Sequence, residues 1–177
     1  MLTDTSSPTF CRPFPAGAAY GKDSLLPGTF FGLRADLRVV WPGVIGSFDL
    51  APANASDLSV APLLLGGAHG FALGDRAYWS PRLRLEVLRG GLALLAPFQT
   101  ATYEKEPRPC WLVAKRRRIE TVLAQLVERN HSERTWARDL WHLCSRWLRK
   151  VLSHTAAVLP CQDHGLDPLS FRRLVAS

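Results

Sequence analysis

The chain has 177 residues, enough for one hydrophobic core and one expected domain. With 47% hydrophobic and 21% charged residues it reads as a folded chain, which excludes disorder. No apolar run approaches the ~18 residues of a bilayer span, so no membrane partner is expected. The net charge of +7 is unevenly placed. Residues 108–150 hold eleven Lys or Arg against four acids, and the remainder is neutral. Such a concentrated basic surface suits a polyanionic partner, with an ordinary solvated face as the alternative. Cys11, Cys110, Cys144 and Cys161 form no Cys-x-x-Cys pair, which argues against a zinc site and for buried thiols in a reducing setting. The first residues lack the basic start and apolar run of a signal peptide, so a cytoplasmic location is expected.

In chain order, residues 1–28 are rich in Pro, Ser, Gly and Thr and read mostly as loop. Thr29 to Trp41 is strand-like, Pro42-Gly43 makes a turn, and Val44 to Leu50 reads as the second arm of a hairpin. Ser56 is placed to cap a helix over 57–65 that closes at Gly66-Gly67. Gly70 to Leu73 reads as a short buried strand whose end presents Asp75. Ser80-Pro81 then starts a helix running to about Arg89, and Leu92 to Ala96 makes another strand. A polar loop over 98–109 precedes two long helices. The first is centred on Lys115–Arg129, with an apolar stripe of Leu112, Ile119, Leu123 and Leu126. The second is expected from about Thr135 to Leu159, with Leu140, Leu143, Trp147, Val151 and Val158 facing the core and Pro160 ending it. The remaining tail is uninformative. The order predicts a mixed α/β fold, a sheet flanked by helices.

Two carboxylates stand out. Asp75 sits at a strand end, where the rim of a sheet favours active sites. Glu120 lies off the centre of the apolar stripe, with Arg116 and Arg117 one turn back. Asp4 is a third candidate. Acidic groups that converge repel one another unless cations lie between them. Hard ions such as Mg²⁺, held jointly by carboxylate and phosphate, would supply that. The plainer reading of Glu120 is a surface residue in ordinary ion pairs.

The chain resembles the insertion-sequence transposases that carry an Asp-Asp-Glu triad on a ribonuclease-H-like core. Four motifs in order carry the resemblance. Phe31-Gly32-Leu33-Arg34 is similar to the family's aromatic-Gly-x-Lys strand, and Ala51-Pro52-Ala53-Asn54 with Asp57 to its Thr-Pro-Ala-Asn-x-x-Asp turn. Leu73-Gly74-Asp75-Arg76-Ala77-Tyr78 resembles the second-aspartate motif, with Ala77 in place of the usual Gly. Arg116-Arg117-Arg118-Ile119-Glu120-Thr121-Val122 resembles the glutamate motif. Arg138 to Leu143 and the helix that follows look like the closing helix of one subgroup.

The resemblance implies a ribonuclease-H-like mixed sheet with two long C-terminal helices, a catalytic domain over 1–160 and a tail over 161–177. It implies that Asp4, Asp75 and Glu120 are catalytic and bind two Mg²⁺ or Mn²⁺ ions. Arg34, Arg76, Lys115, Arg116, Arg117 and Arg118 would contact DNA. The implied activity is phosphodiester hydrolysis and strand transfer at element ends, on double-stranded DNA in a bacterial nucleoid, with a homodimer as an option. Asn54 and Tyr78 have structural readings as good as functional ones, a turn and a packed ring. Asp57 is expected to serve the start of its helix rather than a metal. Only Met1–Thr3 precede Asp4, fewer than a typical strand needs, so the first strand is expected to be largely missing and the chain an N-terminally truncated copy. That leaves a non-catalytic DNA-binding remnant as the rival function.

Overall fold

The computed structural model describes residues 2–3, 17–22, 29–97, 110–132 and 136–171. The chain forms two compact units, one of Met1–Asn54 with Arg117–Ser177 and one of Ala55–Arg116. The strands are β1 (Leu2–Thr3), β2 (Ala19–Lys22), β3 (Thr29–Val40), β4 (Val44–Pro52), β5 (Gly70–Leu73) and β6 (Leu92–Leu95). The helices are α1 (Asp57–Leu65), α2 (Pro81–Arg89), α3 (Cys110–Glu128) and α4 (Leu140–Asp163), with a 3-10 turn at Arg76–Tyr78. The boundary between the units falls within α3.

The first unit is built on β3, which pairs antiparallel with β1, β2 and β4. The expected hairpin is present. Its alternation sorts the side chains: Ala35 opposite Leu50, Leu37 opposite Phe48, and Val39 opposite Ile45 share the apolar face. That face joins Val122 and Leu126 of α3 and Leu143, Trp147, Val151 and Val158 of α4 in one core. Gly43 in the hairpin turn has φ +146°, and a Cβ there would stand 2.7 Å from the Leu169 side chain, so only Gly suits the site. Among the described residues β1 comprises Leu2 and Thr3, paired with Ala35 and Arg34 of β3.

The second unit pairs β5 with β6 in parallel, which requires a crossover, supplied by α2. Ser56 Oγ accepts from Ser59 N at 3.2 Å to cap α1, and Ser80 Oγ accepts from Leu83 N at 3.3 Å to cap α2 behind Pro81. Ala61, Leu83 and Leu94 form its small core, with Tyr78 packed against them.

Four expectations are corrected. The strand β5 is not buried: Phe71 is 81% exposed, and among the described residues β5 pairs with β6 alone and packs Ala72 toward the helices. The α3 stripe is centred on Val122 and Leu126, both fully buried, while Ile119 and Leu123 are half-buried; the side chain of Leu112 lies outside the described residues. The helix α4 starts at Leu140, later than expected, because Asp139 Oδ1 accepts from His142 N at 2.8 Å and caps it; Leu140 itself is exposed. It also runs through Pro160. Val158 and Cys161, both fully buried, hold the last turn in the core. Gly165, at φ +66°, closes it with a Leu166 N to Cys161 O bond of 2.8 Å. The segment beyond Pro160 is structural, since Cys161, Leu169 and Phe171 belong to the main core.

Candidate catalytic and nucleic-acid-binding site

Asp75 follows β5 directly. Gly74 N donates to Leu95 O at 3.0 Å, extending the ladder by one bond, and the chain then turns away from the sheet. Asp75 caps the 3-10 turn: its Oδ1 accepts from Ala77 N at 3.0 Å. The carboxylate is exposed, and among the described residues Oδ2 accepts no bond. Gly74 is tied to Tyr78, for a Cβ on Gly74 would lie 3.0 Å from Tyr78 Cβ and 3.3 Å from Cγ. The spacing Gly74-Asp75-Arg76-Ala77-Tyr78 therefore has a packing cause. Tyr78 fills the small core, Gly74 leaves room for it, and the tight turn between them projects Asp75 and Arg76 into solvent. Ala77 has no positive φ, so this backbone does not need the Gly usual at that position.

Glu120 is exposed on α3, as its offset from the apolar stripe predicts. Arg116 and Arg117, four and three residues earlier, are exposed on the same side, and Lys115 is exposed beside them. Thr121 Oγ1 donates to Arg117 O at 3.0 Å.

Among the expected DNA contacts, Arg34 and Arg118 each pair with a carboxylate of the protein. Arg34 is buried, and its Nε donates to Asp36 Oδ2 at 3.0 Å on the hairpin face away from α3 and α4. Residues two apart on a strand share a face, so Asp36 is its natural partner. Arg118 donates to both carboxylate oxygens of Asp167, at 2.9 and 3.0 Å, and its guanidinium lies 4.9 Å from the centroid of the Trp41 ring. Those bonds hold Asp167 below the usual carboxylate range. Sequence reasoning missed this cluster, because Asp167 is 49 positions away in a segment without periodicity. Asn54 is exposed beyond β4, where Ala53 N donates to Gly32 O at 3.1 Å, and Asp57 opens α1; both agree with their structural readings.

The family profile described as a transposase DDE domain matches residues 9–140. The chain belongs to that family. No curated protein and no solved structure matches the chain significantly. The transposase match takes in Asp75 and Glu120; Asp4 precedes it and lies outside the described residues. Asp75 belongs to the second unit and Glu120 to the first. Carboxylate oxygens are hard donors that suit a divalent ion, and both described carboxylates are exposed. Among the described residues, no three His, Cys, Asp or Glu side chains lie together as a metal-holding group. No helix among them is long and apolar enough to cross a membrane.

Proposed function

We propose that this chain is the catalytic part of a bacterial DNA transposase, hydrolysing phosphodiesters at element ends and joining the freed 3′ hydroxyl to target DNA in the nucleoid. The observation that carries the proposal is the family match spanning both Asp75 and Glu120. A ribonuclease-H-like arrangement is supported by the order of elements: β1 antiparallel to β3, the β3–β4 hairpin, then parallel β5 and β6 with helices between and after them.

In this reading Asp4, Asp75 and Glu120 hold two divalent ions. Bound there, the ions supply charge that activates the attacking oxygen and stabilises the leaving one. The Ala77 N–H fixes Asp75 through one oxygen and leaves the other toward solvent. Arg76, Lys115, Arg116 and Arg117, all exposed, bind backbone phosphates and orient the duplex. Arg118 and Arg34 support the fold instead.

The test is nicking and joining of supercoiled plasmid DNA with Mg²⁺ or Mn²⁺, against an EDTA control. Metal-dependent products that disappear in Asp75→Asn and Glu120→Gln support the proposal. DNA binding that survives EDTA, with no cleavage under any divalent ion, replaces it with the non-catalytic DNA-binding reading. Cleavage that persists in both variants overturns the site.

A further inference from the structure

One face of α4 is spent in the core, through Leu143, Trp147, Val151 and Val158. The helix carries a second apolar stripe that the first unit leaves open. Trp141, Leu148, Leu152 and Leu159 are 72%, 46%, 57% and 57% exposed. At 100° per residue these four positions fall within about 40° of one another, roughly 125° around the helix from the core face. Single exposed leucines are ordinary, but four on one line over ~27 Å of helix are not.

The stripe is palindromic. Its positions are symmetric about residue 150, so 141 mirrors 159 and 148 mirrors 152. A two-fold axis at that level would place Trp141 of one helix on Leu159 of an antiparallel copy, and Leu148 on Leu152, with every contact occurring twice. That self-complementarity is what an isologous dimer interface requires. The small residues Ser145 and Ala156 flank the line and allow close approach. Charge selects the same orientation. Exposed Arg138 lies just before one end of the helix and exposed Asp163 closes the other. Antiparallel pairing brings each Arg138 near the other copy's Asp163 and opposes the helix dipoles, whereas parallel pairing sets like against like. Arg149 lies some 80° from the stripe and stays solvated.

We propose that the exposed face of α4 is a homodimer seam, on which a second copy of this chain packs its own α4 antiparallel about a two-fold axis at the level of residue 150. This inference is independent of catalysis. One helix pair is narrower than a standard interface of ~1,600 Å², so the dimer should be reversible and concentration-dependent.

The test joins sedimentation of the whole chain with a register-specific crosslink. Wild type should shift with concentration from the 19.6 kDa monomer toward twice that mass. Leu148→Glu/Leu152→Glu should remain monomeric with unchanged helical circular dichroism, since both side chains are exposed. The pairing also sets Ser145 opposite Ala156 of the other copy, both on the same flank of the stripe. In a Cys144→Ser background, Ser145→Cys/Ala156→Cys should therefore give an oxidised dimer whose peptide map shows position 145 joined to position 156, and neither cysteine alone should give that dimer. A wild type that is monomeric throughout, a folded Leu148→Glu/Leu152→Glu variant that still dimerises, or a 145–145 or 156–156 link in place of the expected one overturns the proposal.

Discussion

Arg118 and Asp167 are joined by two parallel hydrogen bonds of 2.9 and 3.0 Å, which fasten the basic helix α3 to the segment after α4. The Lys115–Arg118 run thus has two kinds of arginine, a structural one at its end and the solvent-facing Arg116 and Arg117. Arg118→Ala should cost about 1 kcal/mol in urea unfolding, a partly exposed bidentate pair plus a stacked guanidinium. It should leave the salt dependence of DNA binding unchanged. Arg116→Ala and Arg117→Ala should do the reverse, each lowering the slope of log affinity against log salt by about one. Equal slopes for all three variants would reject the distinction.

Asp75 serves two purposes that can be separated. Asparagine keeps the oxygen that accepts from Ala77 N but removes the charge; alanine removes both. Asp75→Asn should melt close to wild type, while Asp75→Ala loses a cap worth about 1 kcal/mol. Both should lose metal-dependent cleavage. An Asp75→Asn protein as destabilised as Asp75→Ala would show that the charge, and not the cap, holds the turn.

Gly74 and Tyr78 should couple. A Cβ at 3.0 Å from Tyr78 Cβ forces the ring or the turn to shift, so Gly74→Ala should lose about 1–3 kcal/mol. In Tyr78→Ala that loss should shrink, since the obstructing ring is gone. A double-mutant cycle on thermal unfolding measures it, and additive effects would contradict the packing account.

His154 should make stability depend on acid. It is 2% exposed, its Nε2 lies 3.0 Å from Gln125 Oε1, and Gln125 Nε2 donates to Leu169 O at 2.7 Å. With Oε1 facing the ring, Nε2 carries the proton and the imidazole is neutral. Burial pushes its pKa down from 6.5 to about 4. Above pH 6.5 the ring is neutral folded and unfolded. Between 6.5 and 4 the unfolded chain takes up a proton that the folded one refuses, so stability falls with pH, by at most about 3 kcal/mol. Asp167, held below 3.8, contributes in a lower window, its stabilisation lost as pH falls beneath that value. Urea titrations from pH 7 to 4 should show the step in wild type and a flatter profile in His154→Leu. A step of undiminished size in the variant would assign it elsewhere.

Much of the local structure was legible in the sequence because its causes are local. The hairpin follows from alternation around Pro42-Gly43, and α1 and α2 from Ser56 and from Ser80-Pro81. The exposure of Glu120 beside Arg116 and Arg117 follows from helical spacing alone. The start of α4 was not legible: expected at about Thr135, it falls at Leu140, where Asp139 caps it.

What the sequence determined by itself were the elements, the motif that projects Asp75, the basic face of α3 and, through the motifs, the transposase family. Each rests on contacts spanning about one helical turn or one hairpin. Only the tertiary structure decided which of those residues remain available. It placed Arg34 against Asp36 inside the sheet face, tied Arg118 to Asp167, carried α4 through Pro160 by burying Val158 and Cys161, and left Trp141, Leu148, Leu152 and Leu159 uncovered. These outcomes turn on what packs against a side chain. For Arg118 that partner comes from 49 positions along the chain, where no local period points to it.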